Sequence, residues 1–285
     1  MAGAQASDLA IAVARGGGLG AIPCALLSPD AVREHVHRFR AATKELSAPI
    51  NLNFFCHTLP PSNPKTDKQW QNILEPYYRE YGVDLSQLTV KGALRMPFDE
   101  LSLELVRELK PEVVSFHFGL PSSHMLQGVK DTAGGIGDAR GILAASALGA
   151  AAVQMGTVFL LADETQTSNL HRNMLKRAAI ATREEALETA ITNVFSGRPA
   201  RGFITRVMRE LGPMCAEAPE FPTAGAPLGA LKKAAEAKGD TAFSSLWSGQ
   251  SPGFAQEKSA EVIMRSLVKE LDLLVAQVKG AHSSL

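Results

Sequence analysis

One histidine stands where α/β enzymes place catalytic side chains. His117 lies near the end of the apolar segment 112–118, and Gly119-Leu120-Pro121 follows that segment directly. This sequence is typical of a buried strand that ends in a turn, and the active sites of α/β folds gather at such strand ends. An imidazole there could transfer protons near neutral pH. The alternative interpretation is a core histidine whose partners are backbone groups.

Two amides share a second predicted strand, which spans residues 49–55 and leads to His57. Asn51 and Asn53 lie two residues apart, so they point to the same face of that strand. Buried amides need hydrogen-bonding partners. The polar edge of a cofactor would supply them, and so would a neighbouring loop.

Glycine clusters fall where three predicted strands end, at Gly16-Gly17-Gly18-Leu19-Gly20, Ala133-Gly134-Gly135 and Gln154-Met155-Gly156-Thr157. Glycine at a strand end lets a phosphate or a flat ring approach the backbone, and a helix that starts there can bind an anion. The first cluster matches neither the Walker motif nor GxGxxG. The other two are separated by one helix that Asp138 opens, which would let them share a phosphate. Turning the chain is the alternative role of any single cluster.

Helices and strands must alternate to position these residues, and the chain has that pattern up to Ala162. Strands are predicted at 21–24, 49–55 and 112–118, and Ser28-Pro29-Asp30 is typical of a helix start. This alternation predicts a parallel α/β fold. Beyond Ala162 the chain is predicted to be mainly helical. We expect an α/β domain over residues 1–195, and a helical cap with a C-terminal helix over residues 196–285.

The composition argues against several function classes. Of the 285 residues, 45% are apolar and 20% are charged, which is ordinary for a globular protein. The formal net charge is zero, so nucleic-acid binding is not expected. Three cysteines without a CxxC pair indicate a reducing compartment and no metal site. The N-terminal residues do not resemble a signal peptide, and we predict a cytoplasmic protein. Two glycines interrupt the uncharged stretch 141–162, which predicts a helix and a strand rather than a membrane span.

Six motifs follow one another along the chain. They are Gly17-Gly18-Leu19-Gly20, Asn51-Leu52-Asn53-Phe54-Phe55-Cys56-His57, Ser115-Phe116-His117-Phe118-Gly119-Leu120-Pro121, Ala133-Gly134-Gly135-Ile136-Gly137-Asp138-Ala139-Arg140-Gly141, Val153-Gln154-Met155-Gly156-Thr157 and Ser196-Gly197-Arg198-Pro199-Ala200-Arg201-Gly202. Together they resemble the nitronate monooxygenase family, formerly called 2-nitropropane dioxygenases. The resemblance extends over nearly the whole chain.

The resemblance implies an FMN-dependent (β/α)₈ TIM barrel with a helical cap. It implies the oxidation of small alkyl nitronates by O₂ to carbonyl compounds and nitrite. His117 matches a pocket residue of the family and is the candidate catalytic residue, while Trp247-Ser248-Gly249-Gln250 matches a cap segment that faces the site. The residues that match flavin contacts are Met1, Ala2, Gly3, Asn53, Gly134, Gly135, Gln154, Gly156 and Thr157.

Two stretches of the family pattern have no counterpart in the sequence. The strand that precedes the Met-Ala-Gly loop in the family is one of them. The other falls at Thr132–Ala133, where two strand–helix units and most of a further strand are passed over, roughly 70 residues at the usual size of βαβ units. The family's catalytic histidine belongs to this second stretch. We therefore expect an incomplete barrel whose open strand edges allow self-association.

The missing histidine leaves other functions open. A nitronate is already an anion and needs no base, whereas a neutral nitroalkane does, so nitroalkanes are expected to be weak substrates. One alternative is a non-catalytic relative of the family. Another is a flavin-dependent enoyl reductase that takes electrons from a nicotinamide cofactor.

Overall fold

Helices and strands alternate along the first part of the chain, as the sequence predicts. The computed structural model describes residues 3–84, 95–120, 133–134, 136–181 and 187–282. The chain forms two compact units. Unit 1 comprises Met1–His57, Met96–Ser168 and Ser251–Leu285, and unit 2 comprises Thr58–Arg95 and Asn169–Gln250. The units interleave in sequence, so their bounds differ from the contiguous domains 1–195 and 196–285 that we expect from the sequence.

The strands of the α/β part belong to unit 1. Its helices are α1 (Ser7–Arg15), α2 (Pro29–Ala42), α4 (Glu100–Leu109), α5 (Ala139–Ala147) and α9 (Ala260–His282), and its strands are β1 (Gly20–Pro23), β2 (Ile50–Phe55), β3 (Val113–His117), β4 (Ala133–Gly134) and β5 (Val153–Gln154). Unit 2 contains α3 (Pro64–Tyr81), α6 (Asn169–Ile180), α7 (Arg206–Leu211), α8 (Gly225–Ala237), β6 (Thr189–Thr192) and β7 (Ala200–Phe203).

Parallel pairing confirms the predicted α/β class. Strands β1, β2 and β3 form one parallel sheet in that order, and β4 pairs with β5 in a second parallel sheet. Helices connect β1 to β2, and β2 to β3, as expected because parallel strands need crossover connections. In the part of the chain that the structure describes, the strands form separate sheets rather than a closed barrel.

The predicted start of α2 is confirmed in detail. The Ser28 side chain accepts a hydrogen bond from the Ala31 amide at 3.3 Å, Pro29 is the first helical residue, and Asp30 lies in the first turn. Proline suits this position because the amide it lacks would have no partner within the helix.

The prediction of a mainly helical chain beyond Ala162 is wrong for one segment. Strands β6 and β7 pair antiparallel, with Ile191 opposite Arg201, and Gly202 forms a further bridge with Trp247. Each of these strands is four residues long. Four residues are too few for an alternation of polar and apolar side chains to identify a strand.

Helix α1 packs against both the first sheet of unit 1 and helix α9. Ala10, Ile11 and Ala14 pack in the apolar cluster that the sheet shares with α2 and α4. Leu9 and Ala12 pack in another cluster with residues of α9. A helix that buries both of these faces is largely apolar, as the sequence of α1 is.

The first glycine cluster allows α9 to approach the end of α1. A Cβ atom on Gly16 would lie 2.4 Å from Met264 Cβ, and one on Gly18 would lie 2.7 Å from Met264 Cε. Both distances are far inside van der Waals contact between carbon atoms. Close packing therefore accounts for these glycines without a ligand. The cluster follows α1 and precedes β1, so the prediction that it lies at the end of a strand is wrong.

Helix α3 provides much of the core of unit 2. Trp70, Leu74 and Tyr78 on one face of this helix are almost completely buried. Buried tryptophan and tyrosine need partners for their polar atoms. Trp70 Nε1 donates to the carbonyl oxygen of Ala224 at 3.1 Å, and the Tyr78 hydroxyl donates to that of Pro227 at 3.0 Å. These bonds hold α3 to the start of α8.

The uncharged stretch 141–162 forms most of α5, strand β5 and a short 3₁₀ helix at Thr157–Phe159. Across the described ranges, none of the helices combines the length and the apolar composition needed to cross a membrane.

Candidate active site

A polar face of the first sheet brings predicted site residues together. Side chains alternate between the two faces of a strand, so Asn51, Asn53 and Phe55 share one face of β2. The parallel register places Ser115 opposite Asn53 and His117 opposite Phe55 on β3. The other face of β2 carries apolar side chains that pack beneath the helices. The sheet thus presents amide, hydroxyl and imidazole groups on the side away from α2 and α4.

Asn53 and His117 form a hydrogen-bonded pair. Asn53 is 9% exposed, and its Nδ2 atom lies 2.9 Å from His117 Nδ1, 2.9 Å from Ser115 Oγ and 3.3 Å from the carbonyl oxygen of Ser115. A carbonyl oxygen only accepts, which identifies the side-chain atom facing it as the donor NH₂ group. His117 Nδ1 therefore accepts from Asn53. In the neutral ring, the proton of His117 then lies on Nε2.

The surroundings of His117 favour that neutral ring. The residue is exposed at the end of β3, but protein atoms pack around its ring, with the Phe55 and Phe118 ring centroids 6.2 and 6.3 Å from its own. This desolvation lowers the pKa of His117 below its ordinary value. At neutral pH the imidazole is uncharged, and its Nε2–H is a hydrogen-bond donor.

The residue after His117 has a strained backbone. Phe118 has a φ of +70°, which side chains other than glycine rarely adopt. Its ring lies 4.6 Å, centroid to centroid, from that of Phe55. Backbone strain of this kind is common at functional sites. Here it turns the chain sharply after β3 and holds the Phe118 ring beside the histidine.

Sequence reasoning missed the contributions of Phe55 and Phe118. Both rings contact His57 as well, at 6.3 and 6.5 Å between centroids, and His57 is 4% exposed. Two histidines therefore lie against the same pair of aromatic rings. The signal that could have found the pair is the repeated adjacency of phenylalanine and histidine at the ends of two predicted strands, Phe55-Cys56-His57 and His117-Phe118.

Two cysteines near these strand ends are protonated thiols. Burial raises the pKa of Cys24, which directly follows β1, to about 12. Burial also raises the pKa of Cys56, which directly follows β2, to about 11. A thiol rather than a thiolate is a poor nucleophile. Neither cysteine is therefore a candidate for covalent catalysis.

The glycine-rich residues form a second group on β4 and β5. Gly134 is the register partner of Gln154. Gly156 follows Gln154 by two residues, and among the described residues no atom apart from those of its chain neighbours lies within 4 Å of the position of a Cβ. Thr157 begins the short 3₁₀ helix. Asp138 caps α5 by accepting the Gly141 amide at 2.9 Å, as its predicted place at the helix start suggests. Gly135 lies outside the described residues.

The loop before α1 lies close to β1. Gly3 has a φ of +79°, and the next residue, Ala4, accepts the Gln166 amide at 2.9 Å. Gln5 Nε2 donates to the carbonyl oxygen of Ala21 at 2.8 Å. The predicted contacts Met1 and Ala2 lie outside the described residues. The structure thus brings Asn53 and His117 together in one sheet, and Gly134 and Gln154 together in the other.

Trp247, from the predicted cap segment, belongs to unit 2. Its ring lies 5.7 Å from that of Phe195, and the amide of the following residue, Ser248, donates to the carbonyl oxygen of Arg201. Burial lowers the pKa of His171, which also interacts with the Trp247 backbone. Within the described ranges, no three histidine, cysteine, aspartate or glutamate side chains are grouped as a metal site.

Comparison with known proteins identifies relatives along nearly the whole chain. The family model described as nitronate monooxygenase matches residues 1–132 and 132–270. The nitronate monooxygenase of Pseudomonas aeruginosa is 29% identical over 339 aligned positions, which cover 95% of this chain and 94% of the relative. That of Paraburkholderia phytofirmans is 28% identical over 348 positions, covering 98% and 92%.

Two solved structures resemble this chain in fold. The structure of nitroalkane oxidase from Streptomyces ansochromogenes is 25% identical in sequence and has a TM-score of 0.80, with 98% of this chain and 95% of that chain covered. FabK from Thermotoga maritima has a TM-score of 0.55 at 24% identity, with coverage of 99% and 93%, and shares the fold.

The junction at Thr132–Ala133 also appears in these comparisons. The two segments matched by the family model meet at residue 132, and the alignment with the Pseudomonas relative is longer than the 285 residues of the chain. Some positions of the relative therefore have no counterpart here. The match nevertheless includes both parallel sheets and every predicted motif. The chain belongs to the nitronate monooxygenase family, a family of oxidoreductase enzymes.

Proposed function

We propose that this chain binds FMN and oxidises small alkyl nitronates with O₂ to carbonyl compounds and nitrite. The observation that carries the proposal is the Asn53–His117 pair, which presents an uncharged imidazole with its proton on Nε2. That proton suits a substrate that is already an anion. Membership of the nitronate monooxygenase family supports the reaction class.

The residues present fit a flavin. Asn51 is 8% exposed, and no hydrogen bond reaches its Oδ1 atom from the described residues. This buried acceptor is compatible with the N–H donor of a flavin ring, because a buried amide oxygen without a partner is costly. No described residue fills the space beside Gly156, which leaves room for a group to approach the backbone.

We assign the proposed flavin contacts in two groups. Gly3 and Asn53 would lie on the ring side, and the remaining described positions would lie on the phosphate side, namely Gly134, Gln154, Gly156 and Thr157. Met1, Ala2 and Gly135 stay proposed contacts through the family resemblance. When bound, FMN would supply the redox chemistry, accepting electrons from the nitronate and passing them to O₂.

His117 would position the substrate through a hydrogen bond to its charged group. Its Nε2–H can donate to an oxygen of the nitronate, while Asn53 fixes the ring through Nδ1. A hydrogen bond to a charged partner is worth about 1.5–3 kcal/mol, which makes this interaction substantial. The same arrangement leaves Nδ1 engaged, so His117 is poorly placed to remove a proton from a neutral nitroalkane. The proposed substrates are therefore nitronates.

The first test is FMN binding followed by oxygen uptake. The purified full chain is incubated with FMN and desalted, and its visible spectrum is recorded. A shifted flavin spectrum at about one FMN per chain is the expected result. Oxygen uptake is then measured with preformed ethyl nitronate and with nitroethane at neutral pH. A colourless protein would overturn the proposal, and equal rates with the two substrates would overturn the assigned role of His117.

The same experiment separates the alternatives. A non-catalytic relative would retain FMN without nitronate-dependent oxygen uptake. A flavin-dependent enoyl reductase would reduce its flavin with NADH or NADPH. The likeness to FabK concerns the fold, whereas both the family model and the curated relatives support nitronate oxidation. We therefore favour the oxidation.

A further inference from the structure

Two arginines of unit 2 lie over one buried aromatic ring. Arg95 Cζ is 5.5 Å and Arg198 Cζ is 5.8 Å from the ring centroid of Phe221, which is 5% exposed. Both distances lie within the range of cation–π attraction. The two arginines come from parts of the chain that are far apart in sequence, and both contact this one ring.

The Arg198 loop has a rigid backbone. Asn193 Nδ2 donates to the carbonyl oxygen of Cys215 at 2.8 Å, and the Cys215 amide donates to Asn193 Oδ1 at 2.9 Å. The Gly197 amide donates to the carbonyl oxygen of Asn193 at 2.7 Å. The Ser196 hydroxyl donates to the carbonyl oxygen of Arg198 at 3.1 Å and accepts from the Arg198 amide at 3.3 Å. The backbone that carries the Arg198 side chain is therefore held in place by hydrogen bonds within the protein.

Gly197 fixes this loop against the segment that carries Phe221. Its φ is +83°, and a Cβ atom on it would lie 2.3 Å from the carbonyl oxygen of Pro219 and 2.4 Å from the Phe221 amide nitrogen. Only glycine allows the two backbones to come so close. The contact determines where Arg198 lies relative to the Phe221 ring.

Arg95 is half-buried without a carboxylate to balance its charge. Among the described residues, no aspartate or glutamate lies within ion-pair distance of it, and its contact is with the Phe221 ring. Burial lowers the pKa of Arg95. Partial desolvation of a guanidinium is costly unless an opposite charge or a set of acceptors compensates for it.

We propose that Arg95 and Arg198, held at the Phe221 ring, bind a phosphate-type oxyanion carried by a small molecule. Guanidinium groups match the geometry of phosphate oxygens and form charge-assisted hydrogen bonds with them. The anion would compensate for the desolvation of Arg95. This site lies within unit 2 and is separate from the residues that we assign to FMN, so it goes beyond the proposed function.

Inorganic pyrophosphate is the probe for this site. Isothermal titration calorimetry is carried out with the full chain and with the variants Arg95→Gln and Arg198→Gln. Each substitution should weaken pyrophosphate binding by about tenfold or more, since each removes a charge-assisted contact. Arg209→Gln is the matched control, because Arg209 is an exposed arginine on α7 of the same unit. It should bind pyrophosphate like the unsubstituted chain.

Three further measurements make the test decisive. Circular dichroism shows whether each variant is folded. Arg95→Lys keeps the charge and replaces Arg95→Gln if the latter unfolds. It should weaken pyrophosphate binding less than removal of the charge does. FMN retention should be the same in all folded variants, which distinguishes this site from the flavin site. The proposal is overturned if the unsubstituted chain does not bind pyrophosphate saturably, if the arginine variants bind it equally well, or if citrate binds and pyrophosphate does not.

Discussion

Asn53 Nδ2 lies 2.9 Å from His117 Nδ1, across two neighbouring parallel strands. Parallel sheets are usually covered by apolar side chains on both faces, yet this face carries an amide and an imidazole. The pair determines which ring nitrogen holds the proton of neutral His117. It thereby determines what this histidine can offer to a substrate.

Replacing Asn53 with aspartate should reverse the proton position in His117. The carboxylate that Asn53→Asp introduces can only accept, so the neutral ring would place its proton on Nδ1, and the nearby negative charge would raise the pKa of His117. Nitrogen-15 NMR of the imidazole should show the Nε2–H form in the unsubstituted chain and the Nδ1–H form in the variant. The same form in both proteins would contradict the assigned hydrogen bond.

Loss of the His117 side chain should impair turnover more than FMN binding. In His117→Ala, nitronate-dependent oxygen uptake should fall by about ten- to a hundredfold, the value of one hydrogen bond to a charged partner. The FMN content after desalting should change little. His37→Ala is the control, because His37 is an exposed residue of α2. Unchanged steady-state kinetics in His117→Ala would remove His117 from the site.

The stability of the protein should fall in mild acid, partly through His171. This residue is 8% exposed, and burial lowers its pKa in the folded chain. Below the ordinary pKa of about 6.5, the unfolded chain takes up a proton that the folded chain does not, so the free energy of unfolding decreases as the pH falls. At higher pH, where both states are neutral, this contribution to the pH dependence disappears.

Urea unfolding between about pH 5 and 8 measures this effect. His171→Gln should show a smaller loss of stability toward low pH than the unsubstituted chain. If the slope is identical in His171→Gln, then His171 does not contribute to the pH dependence.

Two glycines of unit 2 should differ in their tolerance of alanine. Gly197 and Gly239 both have a positive φ, of +83° and +73°, but a Cβ atom would collide with the backbone at Gly197 and meets open space at Gly239. Gly239→Ala should cost about 1–2 kcal/mol through conformation alone. Gly197→Ala should lower the free energy of unfolding by more, about 3 kcal/mol or above, because the backbone that faces Gly197 must also move. Urea unfolding compares them, and equal losses of stability would contradict the close contact around Gly197.

Local sequence signals predicted several of the elements and the two amides of the candidate site. Ser28-Pro29 defined the start of α2, and the two-residue spacing of Asn51 and Asn53 predicted that they share a strand face. These features depend on neighbours along the chain. The hydrogen bond from Asn53 to His117 depends on the register between two strands, which no local pattern specifies.

Other features could not be predicted because they depend on contacts between distant segments. The positive φ of Phe118 is rare for its residue type, so no propensity rule anticipates it. Arg95 and Arg198 both contact Phe221 only in the folded unit 2. Strands β6 and β7 are stabilised by pairing with each other and with Trp247, rather than by a recognisable pattern of their own.

The position of α1 between the first sheet and α9 has a consequence for biosynthesis. Ribosomes deliver the chain from its N-terminal side, so the sheet-facing residues of α1 can find partners long before α9 has emerged. Until then Leu9 and Ala12 lack the α9 side chains that bury them. Closure of unit 1 is therefore a late, long-range event in its folding, and this surface of α1 lacks its α9 partners until the end of synthesis.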